Sequence, residues 1–478
     1  MSAPMTQDKL SENIEFIKEL LEKQKLVERL VHLQHSPNQE VVESLVHRQH
    51  LAQLKKKLRK LHAADLAHVL EGLPMADRQR LWEMVRDSRG GEVLMDVSDA
   101  VRAGLIESMG DEELLMVISQ LDGDDLSYIA KDIPEAILQV ALASLTRDDQ
   151  QWLRSSFKYA EDTVGHLMSN EMVVVHADQT IDDAARTLRQ LKDLPIHNDK
   201  LFVTDRRGML TGTLNLQKIL LTEPDSRIAD VMATDIIKFD PEDDASEASM
   251  AFERYDLVSA PVVNARGKLI GRLTVDVVMD YIREESTEDM LSMAGLSGEE
   301  DLFAPIWHSA RNRFTWLVIN LCSAFVASRI IGMFSHTIAQ LVALAALMPI
   351  VASVGGNTGN QTTALIIRSL SRGQITAHNT WHLIRKELSI GAVNGVILGL
   401  LVGLFAMVLY QNVHLALVIS AAMLLNLIFA SSVGLAVPML LDKFDKDPAL
   451  GSSVILTAAT DSIGFLIFLG LATIFLVH

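Results

Sequence analysis

The stretch "GGNTGNQTT" (Gly355–Thr363) interrupts an apolar run that is otherwise long enough to cross a lipid bilayer. It follows "IAQLVALAALMPIVASV" and precedes "ALIIRSL". Close helix packing would explain the glycines, but the amides of Asn357, Asn360 and Gln361 need polar partners or water. Non-helical backbone at membrane depth is tolerated where it lines a cavity. We therefore expect a broken helix here, with free carbonyl groups that face a polar path.

Five apolar stretches of bilayer length make up the second part of the chain, at residues 314–334, 338–367, 388–410, 414–440 and 451–477. Lys and Arg residues occur before the first stretch, between the second and third, and between the fourth and fifth, whereas the other two connections carry none. Because positively charged loops stay on the cytosolic side, the sequence predicts a multi-pass protein of the inner or plasma membrane. Its N-terminal part is expected in the cytosol and its C-terminus outside, with no cleaved signal peptide.

A single carboxylate, Asp461, stands within the fifth apolar stretch. At 1.5 Å per residue it would lie about 15 Å deep in the bilayer. An acid at that depth is costly and commonly lines a polar path. The alternative is an acid paired with a buried arginine or hydroxyl for packing alone, but no basic residue stands at a similar depth on another stretch. Carboxylate, amide and carbonyl oxygens together favour Mg²⁺ or Ca²⁺ over softer metals.

The first part of the chain is strongly acidic. The 478 residues include 61 acidic and 43 Lys or Arg residues, of which residues 302–478 hold five and nine, so the first 301 residues carry a net charge of −22. A surface of this sign argues against nucleic acid as a partner and favours cations. The single cysteine, Cys322, excludes a disulfide framework and a thiolate metal site.

An internal repeat lies between residues 161 and 283. "LMSNEMVVVHADQTIDDAARTL" (167–188) aligns with "VMATDIIKFDPEDDASEASMAF" (231–252), and "LFVTDRRGMLTGTLNLQKIL" (201–220) aligns with "APVVNARGKLIGRLTVDVVM" (260–279). Each unit predicts strand, helix, strand, a turn at Arg-Gly, strand and helix. The two units resemble a pair of cystathionine-β-synthase-type (CBS) domains.

Many CBS domains hold the ribose of an adenine nucleotide with a Ser or Thr followed three residues later by Asp. Asn215 and Lys218 occupy those positions in the first unit, and Thr274 and Val277 occupy them in the second. Because neither unit keeps the Asp, we do not predict ATP binding.

The region before residue 160 predicts short helices only. Three segments, "DLAHVLEGLP", "ELLMVISQLD" and "DLSYIAKDIP", share an acidic start, an apolar face and a stop. Helices of this kind stack into a superhelical bundle. An additional amphipathic helix, "LSENIEFIKELLEKQKLVERLVHLQ", precedes them and is compatible with dimer formation or self-packing.

An acidic segment, residues 281–303, joins the repeat to the first apolar stretch and is long enough for a continuous helix. Its carboxylates repel those of the acidic domains unless cations bridge them. Divalent cations would therefore clamp the segment to the soluble domains, and their loss would release it and move the attached membrane helix.

The order of these parts resembles the MgtE family of magnesium channels and transporters. The most specific pieces are "GGNTGNQTTALIIRSL" (355–370), "DPALGSSVILTAATDSIGFLIF" (447–468), "YAEDTVGHLM" (159–168) and "EESTEDMLSMAGL" (284–296). The predicted fold is a multi-domain chain with a cytosolic all-α superhelical bundle (1–160), a tandem α/β CBS pair (161–222 and 223–283), a connecting or plug helix (284–309) and an α-helical transmembrane pore domain of five spans (310–478).

The resemblance implies a homodimeric, Mg²⁺-selective pore with a hydrated ion on the dimer axis, where Asp461 of each protomer is the essential carboxylate. It also implies a pore wall and a set of cytosolic sensing acids through which Mg²⁺ closes the pore. The wall residues are Gly355, Gly356, Asn357, Gly359, Asn360 and Gln361. The sensing acids are Glu284, Glu285, Glu288, Asp289 and Asp301, with Asp122, Asp124 and Asp125 as candidates in the helical domain.

The chain departs from the family pattern where Ser452, Ser453 and Val454 begin the fifth stretch, since an amide or a proline is common there. Three alternatives remain at this point: a less selective transporter of Mn²⁺, Co²⁺ or Ca²⁺, a membrane-anchored divalent-cation sensor, and an anion channel with CBS domains. Asp461 argues against the anion channel. We do not predict an enzyme, because no nucleophile–base pair or phosphate-binding loop occurs at plausible spacing.

Overall fold

The structure is a computed structural model. It describes residues 14–23, 52, 54–191, 194–296, 300–376, 378–444 and 446–477. The chain divides into two compact units. The first contains Met1–Ile282 and Glu299–Pro305, and the second contains Arg283–Gly298 and Ile306–His478.

The described part of the N-terminal domain is helical, as predicted. Residues 14–23 and 54–58 are helical, and the rest of the predicted amphipathic N-terminal helix lies outside the described residues. The helices that follow are α1 (Ala63–Glu71), α2 (Met75–Asp96), α3 (Asp99–Glu107), α4 (Asp111–Ile118), α5 (Gly123–Ile129), α6 (Glu135–Ser144) and α7 (Arg147–Ser156). Their apolar faces meet in one core that includes Leu66, Leu70 and Trp82.

Acidic residues begin these helices for a physical reason that the structure makes specific. The Asp65 carboxylate accepts a hydrogen bond from the amide of His62 at 3.3 Å, and the Glu113 carboxylate accepts from the amide of Gly110 at 3.4 Å. These bonds satisfy amide groups that a helix start leaves without an intrahelical partner. The acidic starts at Asp65 and Glu113 are thus helix caps.

The two repeat units form the predicted α/β pair. The first contains α8 (Val164–Leu167), β1 (Val174–His176), α9 (Ile181–Gln190), β2 (Lys200–Thr204), β3 (Leu210–Asn215) and α10 (Leu216–Leu221). The second contains α11 (Ile228–Val231), α12 (Ala245–Tyr255), β4 (Ser259–Val263) and β5 (Leu269–Thr274). Strand β2 pairs parallel with β1 and antiparallel with β3, and β4 pairs antiparallel with β5.

The repeat is less regular than its sequence suggests. Both Arg-Gly turns occur as predicted, with Gly208 at φ +80° and Gly267 at φ +77°, a conformation that favours glycine. The predicted first strand of the second unit is reduced to one bridge between Phe239 and Val262. One bridge fixes the chain locally, but it is too short to count as a strand.

The connecting helix has different bounds from the prediction. Helix α13 runs over Val275–Met293, so it begins at the end of β5 and passes through the boundary predicted near residue 284. It ends shortly before Gly295, whose φ of +73° does not continue a right-handed helix. A new helix begins at Ile306, so residues 284–309 do not form one helix.

The apolar half consists of long helices. They are α14 (Ile306–Met333), the short α15 (Ser335–Gln340), α16 (Ala343–Ser371), α17 (Thr380–Tyr410), α18 (Val413–Lys443) and α19 (Ser452–Leu476). Within the described residues, four of them, α14, α17, α18 and α19, are long and apolar enough to cross a membrane. Helix α16 has 29 residues but contains the polar stretch Gly355–Thr363. The count of five spans therefore stays a prediction.

Helices α17 and α18 pack through a row of glycines. Gly391, Gly395, Gly399 and Gly403 repeat every four residues on α17, and all four are buried. A Cβ atom at Gly395 would lie 2.8 Å from the Cα atom of Leu424, and one at Gly399 would lie 2.7 Å from the carbonyl oxygen of Ser420. Spacing of this kind brings two helix backbones into direct contact.

Candidate cation site

Helix α16 is continuous through Gly355–Thr363, so the expected broken helix is wrong. A helix satisfies its own backbone groups, which is the least costly arrangement in a bilayer. Carbonyl groups in the middle of a continuous helix are engaged in helical hydrogen bonds. Any polar path along this helix must therefore be built from side chains and from the close approach of neighbouring helices, and the glycines serve that approach.

The glycines of the stretch make room for specific neighbours. A Cβ atom at Gly355 would lie 2.4 Å from the Nδ2 atom of Asn426 on α18. A Cβ atom at Gly359 would lie 2.7 Å from a methyl carbon of Leu456 on α19, and Gly434 of α18 approaches the Gly359 carbonyl. Helix α16 is thus held closely against both α18 and α19.

The amide residues of the stretch do not share one environment. Asn357 and Gln361 are exposed on α16, together with Ser353. Their spacing of four residues places the three on one face of the helix. Asn360 is half-buried, and its Oδ1 atom is buried without a hydrogen-bond partner in the described part of the chain. A single chain therefore presents a polar face of a membrane helix to its surroundings.

Asp461 lies at the same level as this stretch. Its neighbour Thr460 is fully buried on α19, and a Cβ atom at Gly356 would lie 3.8 Å from the Thr460 hydroxyl oxygen. Asp461 itself is half-buried. Among the described residues we find no hydrogen bond or ion pair to its carboxylate, so pairing with a buried arginine or hydroxyl does not explain its presence.

Glu387 and Asn426 are buried polar residues of the apolar half that the sequence did not single out. Glu387 on α17 is 5% exposed and accepts a hydrogen bond from the Thr362 hydroxyl at 3.3 Å. Asn426 is fully buried, and its Nδ2 atom donates to the carbonyl oxygen of Val351 at 2.8 Å. The available signal was a polar residue at the edge of, or within, an otherwise apolar stretch, the same signal that identified Asp461.

The candidate acids of the helical domain form a close group around the start of α5. Asp122 caps the helix by accepting from the amide of Asp125 at 2.9 Å. Asp124 accepts hydrogen bonds from the Ser169 hydroxyl and from the amide of Asn170. Burial, partly opposed by the Ser169 hydrogen bond, raises the pKa of Asp124 to about 6. Burial and the charge of Asp122 raise the pKa of Asp125 to about 7.

The predicted sensing acids of the connecting segment are divided between the two units. Asp289 accepts a hydrogen bond from the Ser371 hydroxyl at 3.3 Å, and its pKa is raised by burial and by the charge of Asp447. Glu284 and Glu288 are exposed, and Glu285 is half-buried.

Asp301 forms a two-pronged ion pair with Arg78 of the helical domain, with distances of 2.6 and 3.0 Å. Burial raises the pKa of Asp301, but the hydrogen bonds from Arg78 and Phe303 outweigh it and hold the pKa below its usual value. Asp301 already has a positive partner, which makes it the least available of the predicted sensing acids.

Within the described ranges, no group of three or more His, Cys, Asp or Glu side chains is arranged to hold a metal ion. The acids of the soluble part are grouped but not convergent in this structure. Asp461 contributes one carboxylate per chain. A cation at Asp461 would thus need further ligands from water, from hydroxyl or amide oxygens, or from a second chain.

Three family models match the chain: "MgtE intracellular N domain" over residues 61–162, "CBS domain" over 164–223 and 228–284, and "Divalent cation transporter" over 348–471. The chain is 26% identical over 427 residues to the magnesium transporter MgtE of Bacillus subtilis (strain 168), covering 89% of this chain and 94% of the relative. It is 28% identical over 437 residues to the magnesium transporter MgtE of Thermus thermophilus, covering 88% and 95%. A solved cytosolic domain of the Mg²⁺ channel MgtE in complex with ATP is 25% identical and covers 48% of this chain and 99% of its own, with a TM-score of 0.36.

Proposed function

This chain belongs to the MgtE family, and on that premise we propose that it carries Mg²⁺ across the membrane and that cytosolic Mg²⁺ closes the path. It is a multi-pass membrane protein with CBS domains. Its relatives are transporters, and we propose no enzymatic activity.

The observation that carries the proposal is the environment of Asp461. A carboxylate without a hydrogen bond or ion pair among the described residues is costly within a membrane helix, and residues of this kind mark ion pathways. Helix α16 is a neighbour of α19, which carries Asp461. The exposed face of α16 offers the hydroxyl group of Ser353 and the amide groups of Asn357 and Gln361. Carboxylate and amide oxygens suit a hard cation such as Mg²⁺.

A homodimer would complete the site. One Asp461 from each protomer would balance the two charges of Mg²⁺, and the exposed polar face of α16 would be covered by the partner. Because Mg²⁺ loses its water reluctantly, these side chains contact the hydrated ion through its water molecules. The wall then comprises Gly355, Gly356, Asn357, Gly359, Asn360 and Gln361, where the glycines set the helix spacing and the amides meet the water.

Closure follows from the charges of the connecting helix. Burial and the charge of Asp447 already raise the pKa of Asp289, and Glu284, Glu285 and Glu288 lie on the same helix as Asp289. Mg²⁺ bound among these acids would stabilise the state in which they are close together, and its loss would favour separation. Asp122, Asp124 and Asp125 are the candidates for a second regulatory group. The proposed orientation has the soluble domains in the cytosol and the C-terminus outside.

The test is Mg²⁺ flux in liposomes that contain the purified full-length protein. Asp461→Asn should abolish flux because it removes the charge that attracts the ion, while the variant still elutes from size exclusion as the wild type does. Asp442→Asn, the same change at an exposed acid near the end of α18, is the matched control and should transport normally. If the Asp461→Asn variant transports Mg²⁺ at the wild-type rate, the proposal is refuted.

Selectivity distinguishes the remaining candidate functions. A Mg²⁺-selective path predicts little flux of Ca²⁺, Mn²⁺ or Co²⁺ through the wild type under the same gradient. A membrane-anchored sensor predicts no flux of any ion, with Mg²⁺-dependent changes confined to the soluble domains.

A further inference from the structure

Asn426 is a buried amide with one unpartnered atom. It lies on α18 among apolar residues that include Met423 and Leu427, and its exposure is 0%. Its Nδ2 atom donates to the Val351 carbonyl of α16 at 2.8 Å. Its Oδ1 atom is buried and has no hydrogen-bond partner in the part of the chain that the structure describes. A buried acceptor left without a donor is destabilising, so a residue of this kind needs an explanation.

The amide fills the gap between two glycines on different helices. A Cβ atom at Gly355 of α16 would lie 2.4 Å from Nδ2, and a Cβ atom at Gly464 of α19 would lie 2.9 Å from Oδ1. Real Cβ contacts are longer than either distance, so both positions require glycine while Asn426 keeps this conformation. The side chain is therefore a spacer, one amide group thick, between α16 and α19.

The spacer lies at the level of the proposed ion path. Gly355 is the first residue of the polar stretch, and Gly464 follows Asp461 by three residues, which is slightly less than one helical turn. The helices that the amide separates are those that carry the proposed wall and the proposed pore carboxylate. A change in the size of this spacer would change the distance between the wall and the carboxylate.

We propose that Asn426 is a positioning residue that sets the width of the ion path and thereby its selectivity among divalent cations. This inference rests on the proposed function, because it assigns a role within the same path. Asn426 acts through Gly355 and Gly464 and makes no contact with the ion. Its hydrogen bond to Val351 fixes α16 one turn before the polar stretch, and its Oδ1 atom lies against α19.

The experiment compares full-length variants in liposomes, with initial fluxes of Mg²⁺, Co²⁺ and Ca²⁺ measured separately. Asn426→Ala removes the spacer and should change the ratio of Mg²⁺ flux to Co²⁺ or Ca²⁺ flux by about tenfold, the effect of about 1.4 kcal/mol on a relative barrier. Asn426→Leu keeps the number and branching of the side-chain heavy atoms but loses the hydrogen bond, and should change the ratio less. Leu425→Ala, at an exposed neighbour on the same helix, is the control and should keep the wild-type ratio.

Paired changes in side-chain size distinguish a positioning role of Asn426 from a general structural role. Gly464→Ala alone inserts a Cβ atom against Oδ1 and should reduce Mg²⁺ flux, whereas the double variant Asn426→Ala with Gly464→Ala should regain flux because the space is vacated. Loss of all three ion fluxes in proportion, without a change in ratio and without rescue in the double variant, would overturn the inference.

If the Asn426→Ala variant keeps the wild-type flux and the wild-type ratio of ion fluxes, the inference about Asn426 is also overturned. The proposed function would still be supported in that case by loss of flux in the Asp461→Asn variant. Absence of flux in the wild type would refute both.

Discussion

Single polar residues of the apolar half occupy two kinds of environment. Asn426 and Glu387 are buried and bonded to neighbouring helices. Asp461, Asn357 and Gln361 keep accessible surface, and the carboxylate of Asp461 has no partner among the described residues. A buried polar residue that is hydrogen-bonded to another helix holds the two helices in place. Accessible polar groups on membrane helices are those that meet water, ions or a second chain.

In the soluble part, Asp125 gives a prediction with a defined sign. Its pKa is raised by burial and by the charges of Asp122, Asp124, Glu171 and Asp96, from an ordinary value of 3.8 to about 7. The folded state therefore holds a proton that the unfolded state releases between about pH 4 and pH 7. The stabilising effect of this proton is complete below about pH 4 and is lost as the pH rises through about 7.

We expect Asp125→Asn to raise the unfolding temperature of the full-length protein at pH 8, without divalent cations, because it removes an unfavourable buried charge. At pH 4, near the ordinary pKa of the carboxyl, most of the stabilising effect of the proton is still present, so the two proteins should differ much less. Thermal unfolding in detergent at both pH values measures the effect. Glu107→Gln, at an exposed acid, is the control. A variant that is less stable than the wild type at pH 8 would contradict this account.

At the scale of elements, the ion pair of Arg78 and Asp301 fixes the segment just before α14 to the helical domain. The side chains are 4% and 13% exposed, and the Arg78 guanidinium also donates to the carbonyls of Leu70 and Leu73. Removing one partner of a buried pair leaves an uncompensated charge and costs about 3–5 kcal/mol.

We expect Arg78→Ala to lower the stability of this segment and of the helices around Arg78 by about that amount, seen as faster amide hydrogen exchange across the segment, α1 and α2. The double variant Arg78→Met with Asp301→Leu should cost less than the two single changes together, because neither charge is left alone. Glu92→Gln breaks the exposed pair with Arg89 and should cost under about 1 kcal/mol. If the free-energy costs of the two single changes add up to the cost of the double variant, the two side chains are not energetically coupled.

The glycine row between α17 and α18 gives a second prediction at this scale. Gly395→Ala would place a Cβ atom 2.8 Å from the Cα atom of Leu424, and backbone cannot move aside as a flexible side chain can. The expected loss is about 1–3 kcal/mol from overpacking. Gly470→Ala on α19, where nothing lies within 4 Å, should be neutral and is the control. Unfolding in detergent compares them, and equal stability of the two variants would exclude close packing here.

Across the whole molecule, the sequence was informative where a pattern is local and periodic. Among the described residues, apolar length predicted the four helices that are long and apolar enough to cross a membrane. The repeat predicted the α/β pair, and Gly208 and Gly267 occupy the expected turns. It was less informative where the outcome depends on a distant partner. Gly355 and Gly464 are explained by one side chain on a third helix, and Asp301 by an arginine more than two hundred residues earlier. A single sequence carries no mark of such pairings. For this reason the sequence predicts a break at Gly355–Thr363, whereas the helix is continuous there.

Regulation belongs to the scale of the whole molecule, because the sensing acids and Asp461 lie in different parts of it. If cytosolic Mg²⁺ closes the path by bridging acids of the connecting helix, neutralising Glu284, Glu285, Glu288 and Asp289 should raise the Mg²⁺ concentration needed for half closure. Flux without cytosolic Mg²⁺ should stay near the wild-type value, since none of these residues is proposed to contact the ion in the path.

Liposome flux at increasing Mg²⁺ on the cytosolic face measures both quantities at once. Asp276→Asn, at an acid in the first turn of the same helix, should leave the closing concentration unchanged and serves as the control. Loss of flux at zero Mg²⁺ in the fourfold variant would assign the acids to the path itself. An unchanged closing concentration would move the sensor to other acids, of which Asp122, Asp124 and Asp125 come first. Protons would compete with Mg²⁺ for the carboxylates of Asp124 and Asp125, whose pKa values are raised.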